Sequence, residues 1–161
     1  ILSSGGNADL PAVNPAVNAL FEPNVCGVMD VGGDPAGARV LGRFAARIRE
    51  TDHELLCVVN FNRPETATPE KAERYLREIE RSAKLAVTGL VHNTHLCGDT
   101  TAADVLRGAE LAGELAGQTG IPIRYHALAR GLMDQVNIST GEPFPMDIYM
   151  KKPWEIEPTE E

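Results

Sequence analysis

A carboxylate and a pair of glycines directly follow one short apolar run. Asp30 ends the run Val25 to Met29, and Gly32, Gly33 and Asp34 come next. Mg²⁺ keeps several waters and takes few protein carboxylates, and glycine lets backbone N–H groups approach a phosphate closely. The segment therefore predicts a magnesium and phosphate site in which Asp30 holds the metal. The alternative is a tight turn that needs glycine, in which Asp34 only caps the following helix.

Three further loops with polar groups follow apolar runs, at residues 60–63, at 92–98 and after Tyr125. Arg63 can reach a phosphate or a partner's carboxylate, or it can brace its own loop. His92, His95 and Cys97 are residue types that bind zinc, but no second paired cluster accompanies them, so histidines beside a polar pocket are the simpler interpretation. The sequence contains no Gly-x-Ser-x-Gly elbow and no Cys–His pair that indicates a nucleophile.

The elements that must position these residues are predicted strands and helices that alternate along the chain. Apolar runs predict strands at 25–29, 55–59, 85–91 and 121–125. Helix starts are marked by Asp34-Pro35, by Thr68-Pro69 and by the capping-box pattern Thr101-x-x-Asp104, and Gly120 marks a helix end. This alternation predicts an α/β fold with three layers, in which helices cover both faces of a mostly parallel sheet.

In such a sheet the carboxyl ends of the strands lie at one edge, where ligands bind. We therefore expect Asp30, Gly32 and Asn93 to line one solvent-accessible crevice. The chain is predicted to form a single domain, 1–161. A loop-rich N-terminal segment, 1–24, precedes the alternating strands and helices, which occupy residues 25–128. In the extension 129–161, the alternation of Met146, Ile148 and Met150 predicts an edge strand, and an acidic tail begins at Trp154.

Composition narrows the class of partner. The formal net charge of −8 disfavours a broad contact with a phosphate backbone, so nucleic acid is not an expected partner. No apolar run approaches the roughly 20 residues that a membrane span needs. The three cysteines include no CxxC pair, and Cys26 and Cys57 lie in apolar runs where cysteine is usually buried, which predicts a reducing, cytoplasmic location.

One stretch carries a specific resemblance to a known family. Residues 28–43, Met-Asp-Val-Gly-Gly-Asp-Pro-Ala-Gly-Ala-Arg at their centre, resemble the segment that follows the phosphate-binding loop in P-loop ATPases of the MinD/ParA/CobQ group. Looser similarity extends the match to about residues 9–128, through Asp9 to Ala12, Val59 to Pro64, Leu90 to Leu96 and Gly120 to Ile123. The resemblance implies a P-loop nucleoside-triphosphatase fold and Mg²⁺-dependent binding and hydrolysis of ATP.

Carried over by position, the resemblance gives individual residues a role. Asp30 matches the catalytic Walker B acid that holds Mg²⁺, and Gly32 or Gly33 matches the switch that senses the γ-phosphate. Asn93 matches the asparagine that reads the nucleotide base, and the turn between Ile123 and Leu128 would border the base pocket.

The sequence also departs from this family. The family's phosphate loop ends in Gly-Lys-Ser/Thr, whereas none of the four lysines here follows a glycine; they are Lys71, Lys84, Lys151 and Lys152. The family carries that loop on its first strand, upstream of the position matched by Ile1. We therefore expect a sheet that lacks one strand, and a chain that does not bind ATP on its own.

Two functions from different classes follow. In the first, the chain carries the Walker B, switch and base-recognition parts of an ATPase that is active in its intact form. In the second, it is a non-catalytic α/β interaction module that binds no nucleotide. Because an incomplete sheet exposes an apolar edge, we also expect a homo-oligomer or a protein partner. The predicted contact runs through residues 25–29 or 36–48, unless the 146–150 segment covers that edge.

Overall fold

The computed structural model describes residues 14–149 and shows an α/β protein with an all-parallel, four-stranded sheet. The helices are α1 (Pro35–Arg49), α2 (Pro69–Ala83) and α3 (Ala102–Thr119). The strands are β1 (Leu56–Val59), β2 (Gly89–His92), β3 (Ile123–Ala129) and β4 (Glu142–Met146), and they lie in the order β1-β2-β3-β4. The predicted α/β class with a parallel sheet is therefore confirmed.

Local capping groups set the ends of the helices where the sequence predicts them. The Asp34 carboxylate accepts a hydrogen bond from the backbone N–H of Gly37, and Pro35 occupies the first turn of α1. Thr101 and Asp104 form the reciprocal bonds of a capping box at the start of α3. Gly120 ends α3 in the left-handed conformation, with φ of 73°, where a residue with a Cβ would be strained.

The chain divides into two compact units. Unit 1 comprises Ile1–Cys57 and Glu73–Gly89. Its core is the inner face of α1 packed on the end of α2 and the residues that follow it; the buried side chains are Ala38, Leu41, Ala45, Ile48, Ala83 and Leu85. A short 3-10 helix, Pro15–Phe21, joins this core, because the Phe21 ring stacks on Phe44 at 5.9 Å and the Arg47 guanidinium lies over Phe21.

Unit 2 comprises Val58–Ala72 and Leu90–Glu161. Its sheet pairs β2 with β3 in parallel, with a register irregularity between Leu90 and Val91, and then β3 with β4. The alternate β3 residues His126 and Leu128 are buried, whereas all of β4 is exposed. Pro143 and Pro145 fit this position, because proline cannot donate to a ladder and is confined to sheet edges.

Several predicted strands differ from the observed ones. Residues 25–29 run without a turn or bend but have no strand partner within residues 14–149, so the predicted first strand is wrong as a sheet member. The edge strand exists but lies at Glu142–Met146 rather than at 146–150. Met150, the acidic tail and the Asp9 to Ala12 stretch lie outside the described residues. Among residues 14–149, no helix is both long and apolar enough to cross a membrane.

Candidate functional site

The Asp30 loop of unit 1 leads directly into the first turn of α1. Met29 and Val31 pack against the core of unit 1, so the intervening Asp30 is directed outward and is exposed. In the described part of unit 1, residues 14–57 and 73–89, the carboxylate of Asp30 accepts no hydrogen bond, whereas that of Asp34, four residues later, is used in the 2.6 Å cap of α1. The two carboxylates therefore have different roles: the fold uses Asp34 and leaves Asp30 available.

The glycines near this loop also separate into structural and free positions. A Cβ on Gly37 would lie 2.6 Å from the carbonyl oxygen of Gly32, so the two backbones need this close approach. Gly33 has nothing within 4 Å of a would-be Cβ, and its φ lies outside the left-handed region. The fold therefore requires glycine at position 37 but not at position 33, although the sequence had drawn attention only to Gly32 and Gly33.

Asn93 follows β2 in unit 2. Its backbone N–H donates to the carbonyl of Val59 at 2.8 Å, which extends the β1–β2 pairing by one residue. Its half-buried side chain has no hydrogen-bond partner in the described part of unit 2, residues 58–72 and 90–149. Asp30 lies in unit 1 and Asn93 in unit 2. That they line one crevice stays a prediction.

The loop beside Asn93 is held by a network of side-chain bonds. The side chain of Asn60 is its centre: Oδ1 accepts from the backbone N–H groups of Asn62 and His95, and Nδ2 donates to the backbone carbonyl of His95. Arg107 of α3 donates to the side chain of Asn62. Arg63 is exposed, and within residues 14–149 its guanidinium forms no ion pair. Arg63 is therefore not the brace of this loop, since Asn60 has that role.

A buried histidine pair in unit 2 is the feature that sequence reasoning missed. His92 and His126 are Cα partners in the β2–β3 ladder, and each is only 1% exposed. Their Nδ1 atoms lie 3.0 Å apart, so one ring donates and the other accepts. Burial, followed by the neighbouring His126, lowers the pKa of His92 to about 4. Burial also lowers the pKa of His126, and the Thr140 backbone partly opposes this. Both rings are therefore neutral at pH 7.

The other nitrogen of each ring, Nε2, is buried without a partner in the described chain. The Nε2 of His92 faces Gly108 of α3, where a Cβ would come within 2.4 Å. His126 borders a cavity of about 170 Å³ under the connection from β3 to β4; its other lining residues are Leu128, Met133, Val136, Asn137, Ile138, Thr140 and Pro143. The pair therefore packs α3 and the 137–141 segment onto the same face of the sheet.

The zinc site considered for His92, His95 and Cys97 is not formed within residues 14–149. His92 bonds to His126, and the Nδ1 of His95 accepts from the backbone N–H of Cys97, so the three side chains of the motif do not converge. Throughout residues 14–149, no group of three or more His, Cys, Asp or Glu side chains is arranged to hold a metal ion. A Mg²⁺ ion bound through one carboxylate and substrate phosphates needs no such group.

The cysteines are free thiols, and one prediction about them is wrong. Cys26 is exposed rather than buried, although it lies within an apolar run. Cys57 is half-buried in β1, and burial, followed by Glu80, raises the pKa of its thiol to about 11. Because the thiolate is the reactive form, Cys57 is unreactive at neutral pH.

The fold and these sites define an α/β protein with a parallel sheet and a free carboxylate before a helix. Comparison with family models, curated proteins and solved structures finds no match for this chain.

Proposed function

We propose that this chain is part of an ATP-binding protein of the MinD/ParA/CobQ type, with a P-loop nucleoside-triphosphatase fold, and that the intact protein is a Mg²⁺-dependent ATPase. Asp30 would hold Mg²⁺ as the Walker B acid, Gly32 and Gly33 would contact the γ-phosphate, and Asn93 would read the base. Asp34 supports this loop by capping α1. When bound, Mg²⁺ supplies charge neutralisation at the phosphates.

The observation that carries the proposal is that the fold makes no use of Asp30 or Gly33. Asp30 is exposed and has no protein donor among residues 14–57 and 73–89, and Gly33 is neither sterically nor conformationally required. A turn-and-cap interpretation accounts for Asp34 and Gly37, which do have structural partners. It leaves Asp30 and Gly33 without a role, whereas a metal and phosphate site uses both.

Two more observations support the proposal. The side chain of Asn93, just after β2, lacks a partner among residues 58–72 and 90–149, which leaves both polar atoms of its amide for a ligand. In this family the strand that carries the phosphate loop pairs with a neighbouring strand. The 25–29 segment has no strand partner within residues 14–149, which leaves it available as that neighbour.

The 161-residue chain itself is expected not to bind ATP with Mg²⁺ at useful affinity. No lysine in it follows a glycine, and the Gly-Lys-Ser/Thr loop supplies most of the phosphate contacts in this class. Isothermal titration of this chain with ATP and Mg²⁺ should give no measurable heat of binding. Affinity in the micromolar range would contradict the assignment of the missing loop.

The intact function is tested in the complete gene product, once the sequence encoded upstream of Ile1 has been read. We expect an in-frame Gly-Lys-Ser/Thr loop there, micromolar binding of ATP with Mg²⁺, and hydrolysis. D30N and G33A should each lower affinity or turnover at least tenfold while leaving the melting temperature unchanged. The matched controls D52N and G113A replace an exposed carboxylate and an open helical glycine, and they should alter neither the affinity for ATP nor the turnover.

An upstream sequence without that loop would favour the interaction module instead. Full activity in D30N would contradict the assignment of Asp30 as the metal ligand. The module is consistent with the exposed apolar side chains near β4, where Phe144 is 51% and Ile148 67% exposed.

A further inference from the structure

The cavity beside His126 lies between the buried face of β3 and the chain that connects β3 to β4. This connection begins with a 3-10 helix, Arg130–Gln135, and returns to β4 through Gly141. The cavity volume is about 170 Å³, slightly more than the roughly 150 Å³ of an apolar protein cavity that binds benzene. The cavity is therefore large enough for a small ring or a short branched chain.

Gly141 leaves one nitrogen of the His126 ring uncovered. A Cβ on this glycine would lie 2.9 Å from the Cδ2 and 3.0 Å from the Nε2 of His126, and its φ of 68° is one that side chains disfavour. The imidazole is 1% exposed, and its Nε2 has no hydrogen-bond partner in the described chain. The Thr140 backbone raises the pKa of the ring but forms no hydrogen bond with Nε2. Because buried polar atoms are normally hydrogen-bonded, this nitrogen is suited to a bound molecule.

The bond between the two histidines determines which group that molecule must offer. A neutral imidazole has one N–H and one acceptor nitrogen, and the Nδ1 of His126 lies 3.0 Å from the Nδ1 of His92. If the Nδ1 of His126 accepts from His92, its Nε2 donates, and if Nδ1 donates, Nε2 accepts. A hydroxyl group satisfies either arrangement, because it both donates and accepts hydrogen bonds.

The walls of the cavity favour an uncharged molecule with an apolar body. None of the lining residues within residues 14–149 is Asp, Glu, Lys or Arg, and a buried charge without a partner is strongly unfavourable. Two exposed polar residues, Asn137 and Thr140, border the opening to solvent. One water occupies about 30 Å³, so a single water at Nε2 would leave most of the apolar wall without contacts. That wall is formed by Leu128, Met133, Val136, Ile138 and Pro143.

We propose that this cavity binds a small uncharged molecule with an apolar body and one hydroxyl group, a phenol or a short alcohol, whose oxygen bonds to the Nε2 of His126. The bound hydroxyl fixes which nitrogen of His126 carries the proton and, through the 3.0 Å bond, the tautomer of His92 as well. The inference does not depend on the nucleotide-binding proposal, since none of the lining residues belongs to the proposed nucleotide site.

Titration of the 161-residue chain with phenol, followed by NMR of the methionine methyl groups, tests the site. Met133 lines the cavity, whereas Met29 and Met146 do not and serve as internal references. A ligand of about seven non-hydrogen atoms should bind with a dissociation constant of about 0.1–1 mM and shift only the Met133 resonance. Toluene has the same shape without the hydroxyl and should bind at least tenfold more weakly, and benzoate, which is charged, should not bind.

Two variants separate the apolar wall from the hydrogen bond. V136F fills the cavity and should abolish phenol binding, whereas the matched control V58F, on an exposed valine of β1, should leave it unchanged. H126N keeps a polar group near the position of Nδ1 and removes Nε2, so it should reduce the affinity for phenol to that for toluene. An unchanged circular-dichroism spectrum would verify that each variant folds.

The comparison of ligands on the wild-type chain needs no variant, so the proposal stays testable if a substitution prevents folding. A Met133 resonance that phenol does not shift saturably, or toluene that binds as tightly as phenol, would overturn it. So would a folded V136F that binds phenol like the wild-type chain, or a folded H126N that still prefers phenol to toluene at least tenfold.

Discussion

At the scale of single residues, the histidine pair makes the stability of the protein depend on pH. His92 and His126 are neutral in the folded state because burial lowers both pKa values, that of His92 from 6.5 to about 4. In the unfolded chain each ring takes up its proton near pH 6.5. Between these values the unfolded state binds more protons, so the free energy of unfolding rises with pH.

The resulting prediction is a loss of stability on acidification. The contribution of His92 is fully present above pH 6.5 and is lost as the pH falls from 6.5 towards 4, by about 3 kcal/mol in total. Urea midpoints measured at pH 7.0, 5.5 and 4.5 should fall along this series, and the H53Q control should show the same fall. A midpoint that stays constant down to pH 4.5 would show that the pair is not buried in the neutral form.

Sequence reasoning identified the residues whose roles are local and missed those whose roles depend on tertiary contacts. Asp34 and Thr101 were predicted as caps because their partners lie three residues away, and both predictions are confirmed. His92 and His126 are 34 residues apart, and nothing local indicates that they pair. One signal was present: His126 lies two residues before Leu128, so in a strand both share one face, and the structure buries that face.

At the scale of elements, helix α3 shows how one glycine permits close packing on the histidine pair. A Cβ on Gly108 would lie 2.4 Å from the Nε2 of His92 and 2.5 Å from the Cβ and Oγ1 of Thr94. The Thr94 hydroxyl is already used, since it accepts from the backbone N–H of Phe61 at 3.1 Å. Neither side chain can move away without breaking a buried hydrogen bond.

We therefore expect G108A to destabilise the protein, although alanine favours helices over glycine. Overpacking costs about 1–3 kcal/mol, more than the roughly 1 kcal/mol that alanine gains in a helix. In the same helix, Gly113 and Gly117 have nothing within 4 Å of a would-be Cβ, so G113A and G117A should stabilise the protein by up to about 1 kcal/mol. Thermal melts of the three variants measure the contrast, and a stabilising G108A would contradict this packing.

The elements were predictable to different degrees for a physical reason. Each helix begins directly after a capping side chain, and proline occupies the first position of two of them; the first residues are Pro35, Pro69 and Ala102. Strand bounds depend on the partner strand, which the sequence does not reveal. Leu85 and Val87 are buried but precede β2, and the apolar 25–29 run finds no partner in residues 14–149. β4 contains two prolines, so its pattern does not predict a strand.

At the scale of the whole molecule, the two ends of the strand order differ in chemistry. β1 and β4 are the terminal strands. Val58 on β1 is 61% exposed, and Phe144 and Met146 on β4 are 51% and 44% exposed. Both edges thus combine apolar side chains with strand backbone, a combination that promotes aggregation. On β4 the prolines remove the donors that a second strand would need.

Restoring backbone N–H donors at positions 143 and 145 should allow the outer edge of β4 to pair with a strand of another molecule. The double variant P143T/P145T adds two N–H groups to the outward edge, next to the exposed Phe144 and Met146, and leaves the ladder to β3 intact because that ladder uses the alternate residues. It should show association in light scattering that increases with concentration. P143K/P145K restores the same donors but adds charges that repel a second strand, so it should stay monomeric. If both double variants associate equally, added donors alone are sufficient; if neither does, the prolines are not what keeps this edge from pairing.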